Sequence, residues 1–233
     1  MNIVVTGASK GMGKAIAAKF ASVKNNILIC SRGESGLKAT ADELTKKSGN
    51  IIKHFAADLS DKREAILFAQ WILEHTGVPD VLVNNAGQFI PGSIYNEEEG
   101  VLEKMIGNNL YSAYYLTRAL LPSMIEKRSG HIFNMCSIAS LHAYNNGGAY
   151  SISKHALMGF SKNLREEMKP YNIKVTAVYP GAVYTSSWEE SGVSPSRIME
   201  VDDIATMVFA ASQLSPMACV EDIILRPFLG DLP

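Results

Sequence analysis

The stretch Thr6-Gly7-Ala8-Ser9-Lys10-Gly11-Met12-Gly13 decides the fold of this chain, because it joins a short apolar run to a helical pattern. The apolar run Ile3–Thr6 predicts a buried strand, and a helix is predicted near 12–23. Glycines have no side chains, so the backbone between these elements can approach a pyrophosphate closely, and the helix start offers free N–H groups to it. The spacing is GxxxGxG and not the general GxGxxG, and for the glycines alone an ordinary strand-to-helix turn is the other interpretation.

Short apolar runs alternate with longer helical patterns along the rest of the chain. The runs are Ile3–Thr6, Ile27–Cys30, Ile51–Ala57, Val81–Asn84, His131–Met135, Ile173–Tyr179 and Ile223–Leu225. The helical patterns lie near 12–23, 35–48, 61–76, 98–124, 150–169 and 202–214. This alternation predicts an α/β fold, a doubly wound seven-stranded parallel sheet with helices on both faces. We expect residues 1–233 to form one Rossmann-type domain, which binds ligands beyond the carboxyl ends of the strands.

Composition excludes several classes of protein. The chain carries 22 Lys and Arg residues against 23 Asp and Glu residues, so it lacks the positive excess of a nucleic-acid binder. Cys30, Cys136 and Cys219 are widely spaced and contain no CxxC pair, which argues against a disulfide framework or a metal site and suits a reducing cytosol. No apolar run approaches the ~20 residues of a membrane helix. The sequence therefore predicts a cytoplasmic protein that binds neither nucleic acid nor membranes.

Tyr150 and Lys154 stand four residues apart at the start of a helical pattern. Residues at i and i+4 share one helix face, so the phenol and the ammonium can point into the same cleft. An adjacent cation favours the phenolate and lowers the pKa of the tyrosine. A tyrosine and a lysine at this spacing are more often a solvated helix face, but Ser137 ends a predicted strand thirteen residues earlier and the glycine loop supplies a cofactor site.

Seven short motifs, in order, resemble the short-chain dehydrogenase/reductase family in its regular-length subgroup. The resemblance covers roughly residues 2–215, and each motif is weak alone while the ordered set is highly specific. The motifs are Thr6–Gly13, Asp58-Leu59, Asn84-Asn85-Ala86-Gly87, Asn109-Leu110, Ser137, Tyr150 with Lys154, and Pro180-Gly181 followed by Thr185. The end of the chain, Ile224–Asp231, departs from the Val-Asp-Gly-Gly type of ending that many members have.

The resemblance implies four catalytic residues. Tyr150 is expected to act as the general acid/base, and Ser137 to hydrogen-bond and position the substrate oxygen. Lys154 is expected to hold the nicotinamide ribose and to lower the pKa of Tyr150. Asn109 is expected to interrupt its helix and hold a water that connects Lys154 to solvent, although Asn108 and Asn109 could each be a surface amide.

The family also implies a set of cofactor contacts in this chain. They are expected at Gly7, Ser9, Lys10, Gly11, Met12, Gly13, Ser31, Arg32, Asp58, Leu59, Asn85, Ala86, Gly87, Tyr150, Lys154, Pro180, Gly181, Val183 and Thr185. For Asn85 the alternative is a structural tie between strand ends, and Thr6 could serve in the same way. Cys136 is expected to be a small buried residue, His155 a structural one, and His142 a candidate for the substrate side.

The choice of cofactor is predicted from the end of the second strand. An acidic residue there grips the ribose 2′-OH of NAD, whereas a nearby arginine accommodates the 2′-phosphate of NADP. Here the strand ends Cys30-Ser31-Arg32, and Lys10 lies in the glycine loop that meets it in space. Two solvated surface cations are the alternative. We expect NADP(H) to be preferred over NAD(H).

These observations together predict an NADP(H)-dependent oxidoreductase that interconverts a small or medium carbonyl compound and its alcohol. A mostly apolar pocket is expected from Phe89, Ile90, Ile138, Leu141 and Tyr144, with a small lid between Thr185 and the helix near 202. A catalytically idle NADP(H)-binding regulator and an epimerase or dehydratase are the alternatives.

A homodimer or homotetramer is also expected. The helices near 98–124 and 150–169 carry apolar residues on more than one face, and the surplus could pack against a second copy. The residues in question are Leu102, Met105, Ile106, Leu110, Leu157, Phe160, Leu164 and Met168.

Overall fold

A computed structural model describes residues 1–185, 188 and 192–232 of the protein. Its strands are β1 (Asn2–Thr6), β2 (Asn26–Ser31), β3 (Ile52–Ala56), β4 (Val81–Asn84), β5 (Gly130–Met135), β6 (Ile173–Pro180) and β7 (Asp222–Leu225). Its α-helices are α1 (Gly11–Ala21), α2 (Glu34–Ser48), α3 (Lys62–Thr76), α4 (Val101–Ile106), α5 (Ser112–Lys127), α6 (Gly148–Met168) and α7 (Val201–Ser212). Short 3₁₀ turns lie at Ile138–Ser140, Lys169–Tyr171 and Pro195–Arg197.

All seven strands join one parallel sheet in the order β3-β2-β1-β4-β5-β6-β7. The order reverses at β1, which pairs with β2 on one side and with β4 on the other. Ligands of open α/β sheets bind at such a switch point, beyond the carboxyl ends of the strands. The predicted doubly wound Rossmann fold is confirmed.

Buried apolar clusters cover both faces of the sheet. Neighbouring residues of a strand point to opposite faces, so Val5 packs with α1, α2 and α7 while Val4 packs with α3, α5 and α6. The central strands are buried on both faces, as the continuous apolar runs predict. β3 and β7 lie at the edges and are only partly buried, which explains the polar Lys53 and His54 within the third run.

The predicted helix near 98–124 is three consecutive segments in the structure. Gly100 has φ +83°, a left-handed value that a helix does not continue through, so α4 begins at Val101. A π-helical turn, Gly107–Tyr111, separates α4 from α5, and α5 ends at Lys127. The helix therefore starts three residues later and ends three residues later than expected, and it contains one extra residue in the π turn.

Fewer apolar side chains on these helices are left exposed than the sequence indicated. Met105, Leu157, Leu164 and Met168 are buried within the chain, and Leu102 is exposed. Ile106, Leu110 and Phe160 are partly buried. Assembly into a dimer or tetramer stays a prediction.

Among the described residues, no helix is both long enough and apolar enough to cross a bilayer.

Candidate active site

The glycine loop after β1 is locked against the segment that follows β4. Gly7 has φ +62°, and a Cβ there would lie 2.9 Å from Ala86 Cα, while a Cβ at Gly13 would overlap the Gly7 carbonyl. The Thr6 hydroxyl accepts hydrogen bonds from Asn85 N (3.0 Å) and Ala86 N (2.9 Å). Asn85 Nδ2 donates to Thr6 O (3.0 Å) and Gly7 O (3.1 Å). The side chains of Thr6 and Asn85 therefore tie the strand ends together, which was the structural alternative for both.

A cleft of about 250 Å³ opens at the carboxyl edge of the sheet beside this loop. Nine of the predicted cofactor residues line it: Gly7, Ser9, Lys10, Ser31, Arg32, Asp58, Leu59, Ala86 and Gly87. Asn108, in the π turn, and Ser112, at the start of α5, also line it and were not predicted to, because no residue spacing shows which side of these helical segments meets the cleft. Asp58 is held in place by hydrogen bonds from the backbone and hydroxyl of Ser60 (3.0 and 2.7 Å).

Three polar side chains that line this cleft, those of Ser31, Lys10 and Arg32, suit a phosphate ester. Ser31 Oγ is buried, and no hydrogen-bond partner for it exists in the described part of the chain. A buried hydroxyl without a partner has lost its hydrogen bonds to water and gained none from the protein. A polar ligand group that bonds to this hydroxyl would therefore be stabilising. Lys10 and Arg32 line the same cleft with exposed side chains. The geometry therefore fits the predicted NADP(H) site.

The remaining predicted cofactor contacts lie around the glycine loop and the end of β6. A Cβ at Gly11 would lie 3.5 Å from Thr185 Cγ2, so Thr185 reaches the glycine loop. Val183 pairs with Met199 in an isolated bridge, which closes the base of the segment predicted as a lid. Pro180-Gly181 ends β6, where Gly181 N donates to the last residue of β7 (2.7 Å). Met12 packs on the core beneath α1. Residues 186, 187 and 189–191 of the predicted lid lie outside the described residues.

Tyr150, Ser137 and Lys154 converge where the first turn of α6 meets the end of β5. Lys154 is 6% exposed, and its Nζ donates to Met135 O (2.7 Å) and lies 5.8 Å from the centre of the Tyr150 ring. A Cβ at Gly87, which lines the cofactor cleft, would lie 3.6 Å from Lys154 Nζ. These three predicted catalytic residues thus stand together, next to Gly87 on the lining of the cleft.

The electrostatics of this group differ from the sequence expectation. Burial raises the pKa of Tyr150, and a hydrogen bond from the Ser137 hydroxyl opposes that rise. Burial also lowers the pKa of Lys154 to about 8. Lys154 was expected to lower the pKa of Tyr150, and this expectation is wrong for the protein without its cofactor. Desolvation has the largest effect on the phenol, and the Lys154 ammonium is bonded to Met135 O.

Asn109 lies in the π turn and is fully buried. Its Oδ1 accepts from Gln88 N (2.7 Å), and its Nδ2 donates to Gln88 O (3.0 Å) and to Ser153 Oγ (2.9 Å). The Ser153 hydroxyl in turn donates to Tyr150 O (2.7 Å). The expected interruption of the helix is present, and Asn109 connects the segment after β4 to the helix that carries Tyr150. Of the two neighbouring amides, Asn109 is the buried one. Its role in a proton relay stays a prediction.

The predicted substrate side begins at the ring of Tyr150. Phe89 meets that ring edge-on, with 4.8 Å between ring centres. Burial and the nearby Tyr150 raise the pKa of Tyr144 to about 12. Ile138 and Leu141 are partly buried beside them in sequence. Phe89 therefore gives the candidate proton donor an apolar wall, and the rest of the predicted pocket, including Ile90, stays a prediction.

Cys136 and His155 have the structural roles that the sequence favoured, and His142 lies on the surface. Cys136 is buried, and burial raises its pKa to about 11, so its thiol is protonated at neutral pH. His155 is exposed, and its Nδ1 is bonded to Ser151 O (2.9 Å) one turn earlier. His142 is exposed in the turn before α6.

Comparison with known proteins agrees with this geometry. The sequence profile of the short chain dehydrogenase family matches residues 1–194, which span six of the seven strands. The chain belongs to the short-chain dehydrogenase family. The resemblance predicted from its motifs is confirmed, and it identifies the protein as an oxidoreductase.

Relatives of this short-chain dehydrogenase include several named reductases. The sepiapterin reductase of Chlorobaculum tepidum is 32% identical over 99% of this chain and 97% of that protein. An alcohol dehydrogenase from the archaeon Thermococcus sibiricus, solved with 5-hydroxy-NADP, has a TM-score of 0.91 and 26% identity over 100% of this chain and 98% of its own. The L-sorbose reductase of Gluconobacter frateurii, solved with NADPH and L-sorbose, has a TM-score of 0.88 and 26% identity over 96% and 94% of the two chains.

Proposed function

We propose that this short-chain dehydrogenase interconverts a small or medium carbonyl compound and the corresponding alcohol, with NADP(H) as its cofactor. The observation that carries the proposal is the convergence of Tyr150, Ser137 and Lys154 next to Gly87, a lining residue of the glycine-loop cleft. Two hydroxyl donors beside one substrate oxygen stabilise the negative charge that develops there during reduction.

The cofactor would lie along the cleft with its adenosine end near β2. Ser31, Lys10 and Arg32 would hold the 2′-phosphate, and the backbone of the glycine loop would hold the pyrophosphate. When bound, NADPH supplies the hydride for reduction and NADP⁺ accepts it in the reverse direction. The solved relatives that were crystallised with NADP-type cofactors support this choice.

The proton moves through Tyr150 in this proposal. Because burial raises its pKa, the phenol keeps its proton at neutral pH, and that is the form a general acid needs for carbonyl reduction. Ser137 orients the substrate oxygen toward the phenol. Lys154 has a pKa of about 8, so it can exchange a proton near neutral pH and holds the ribose of the cofactor as its second role.

The substrate is expected to be apolar on the side away from the reacting carbonyl. Phe89 packs on the Tyr150 ring, and Phe89 and Tyr144 both keep nearly half of their surface exposed, at 49% and 45%. Exposed aromatic rings beside a proton donor gain stability when an apolar ligand covers them. This wall favours small or medium carbonyl compounds over large charged ones.

The test is carbonyl-dependent loss of NADPH absorbance across a panel of ketones, aldehydes, quinones and acyl thioesters. Tyr150→Phe is expected to lower kcat by at least about 10²-fold, the lower end of the effect of a general acid, and to leave NADPH binding unchanged. Tyr95→Phe is the matched control, because Tyr95 is 89% exposed and loses the same hydroxyl.

Two outcomes would contradict the proposal. A near-normal kcat in Tyr150→Phe removes the assigned proton donor. NADPH binding without turnover of any carbonyl favours an idle regulatory member, and conversion of a substrate without net use of cofactor favours an epimerase.

We also propose that the protein works as a homo-oligomer in the cytoplasm. Cys30, Cys136 and Cys219 are free thiols, which suits a reducing compartment.

A further inference from the structure

Two loops on the substrate side of the site are bonded to one another. One follows β4 and covers residues 88–97, and the other covers residues 144–149 and leads into α6. Gly92 N donates to Asn146 O (3.1 Å), and the Ser93 hydroxyl donates to Asn146 Oδ1 (2.8 Å). Ser93 O also accepts from Glu97 N (3.0 Å), so the first loop turns back and presents Glu97 to the second.

The carboxylate of Glu97 caps the first turn of α6. Glu97 Oε1 accepts a hydrogen bond from Ala149 N (2.8 Å). The residue before the helix is Gly147, which has no side chain to supply such an acceptor. The first N–H groups of a helix lack partners within the helix, and a negative charge beside them is favourable.

Gly148 leaves the space that this contact needs. Its φ is +26°, and a Cβ at this position would overlap the Glu97 carboxylate and lie 2.6 Å from Gly92 O. The carboxylate therefore occupies the place where any other residue would put its side chain. The close approach of the two loops depends on glycine at this position.

We propose that Glu97 is a positioning residue for Tyr150, an inference that rests on the proposed function. Ala149 directly precedes Tyr150, so the bond from Glu97 fixes the backbone that carries the phenol. On the other side of the same turn, the Ser151 hydroxyl donates to Ala139 O (3.3 Å), two residues after Ser137. The separation of the Tyr150 and Ser137 hydroxyls is set by these two attachments together.

The same loop also carries Phe89, which packs on the Tyr150 ring. The substrate wall and the proton donor are thus joined through Glu97. The residues that line the cofactor cleft among those described do not include Glu97. The contribution of Glu97 is therefore expected in turnover and not in cofactor binding.

The experiment compares Glu97→Ala, Glu97→Gln and the control Glu98→Ala, which changes the exposed carboxylate directly after this loop. Misplacement of a reacting group by about an ångström costs up to 10²-fold in rate, so we expect kcat to fall about tenfold in Glu97→Ala. Glutamine keeps an acceptor oxygen at the same reach, so kcat in Glu97→Gln is expected within about twofold of the unmodified enzyme. The KM for NADPH is expected to stay unchanged in all three variants.

A second measurement does not depend on turnover. Hydrogen exchange of the Ala149 amide, followed by NMR, is expected to accelerate in Glu97→Ala and to stay slow in Glu97→Gln and Glu98→Ala. Thermal melting of each variant shows whether the fold is intact. A destabilised Glu97→Ala protein is replaced by Glu97→Asp, which keeps the charge but is one methylene too short to reach Ala149 N.

The outcomes separate this inference from the proposed function. Unchanged kcat and unchanged Ala149 exchange in Glu97→Ala overturn the positioning role while the unmodified enzyme still reduces carbonyls. If kcat falls equally in Glu97→Gln and Glu97→Ala, the hydrogen bond from Ala149 N to Glu97 is not what maintains kcat, and the inference is overturned. Absence of carbonyl turnover in the unmodified enzyme overturns the proposed function, and the exchange rates still show whether Glu97 fixes the turn.

Discussion

Removal of the Lys10 and Arg32 side chains together is expected to abolish a preference for NADPH over NADH. Both side chains line the same cleft as Ser31, whose Oγ is buried without a partner among the described residues. A hydrogen bond to a charged group contributes about 1.5–3 kcal/mol, and because both cations are exposed the lower end applies. Two such bonds give about 3 kcal/mol, which is roughly a 10²-fold preference in kcat/KM at 1.4 kcal/mol per tenfold.

The assay is the ratio of kcat/KM for NADPH to that for NADH at low and high salt. The double variant Lys10→Ala/Arg32→Ala is expected to lower this ratio to near one. The preference of the unmodified enzyme is expected to weaken as salt rises, because the Debye length falls from about 10 Å at 0.1 M to about 3 Å at 1 M. Lys24→Ala/Lys46→Ala is the matched control, since it removes two exposed positive charges away from the cleft.

Equal use of NADH and NADPH by the unmodified enzyme would show that these cations do not read a 2′-phosphate. If the Lys10→Ala/Arg32→Ala variant keeps the preference for NADPH, other groups of the protein recognise the 2′-phosphate. Ser31→Ala separates the contribution of the buried hydroxyl, which is expected to be small beside that of the two charges.

Three further results are expected. Burial lowers the pKa of His131, which shares a 2.7 Å hydrogen bond with Thr176, to about 3. Below its unfolded pKa of about 6.5 only the unfolded chain takes up this proton, so the free energy of unfolding falls as the pH drops from about 6.5 toward 3. By pH 5 the free energy of unfolding has fallen by about 2 kcal/mol, since each of the roughly 1.5 pH units contributes about 1.36 kcal/mol. Urea unfolding at pH 7.5 and pH 5 is expected to show this loss in the native protein and in the exposed control His155→Gln, but not in His131→Gln. Gly13→Ala is expected to weaken NADPH binding at least about tenfold in a fluorescence titration, because its Cβ displaces the glycine loop, whereas Gly36→Ala, with its one contact at 4.0 Å, leaves binding unchanged. Light scattering at micromolar concentration is expected to give a dimer or tetramer, and a monomer contradicts the assembly prediction.

Local patterns were sufficient to predict the sheet. Continuous Val- and Ile-rich runs such as Val81–Asn84 predict strands buried on both faces, and their alternation with helices predicts a parallel sheet. The helix boundary at Gly100 was missed because the pattern of apolar residues begins before the left-handed glycine that interrupts it. The interruption of this helix at Asn109 was predicted only from the family resemblance. A one-residue bulge hardly changes the 3.6-residue period of apolar positions, so the sequence pattern does not show it.

The candidate site was predictable where its residues follow one another along the chain. Tyr150 and Lys154 share a helix face, so their spacing alone places them together. Glu97 was missed, because its partner Ala149 is 52 positions away and an acidic residue in a loop has no periodic pattern. The pKa of Tyr150 was predicted in the wrong direction, because the sequence shows the neighbouring cation but not the degree of burial.

The position of β1 between β2 and β4 has a consequence for synthesis of the protein on the ribosome. β2 follows β1 closely in the chain, but the register that joins Ile3 to Val81 needs a strand made much later. At about 5–20 residues per second, the stretch from Thr6 to Asn84 takes roughly 4–16 seconds to emerge. During that interval one edge of this largely buried strand has no partner, so chaperones that hold extended apolar segments would have their longest access to the nascent chain at Asn2–Thr6.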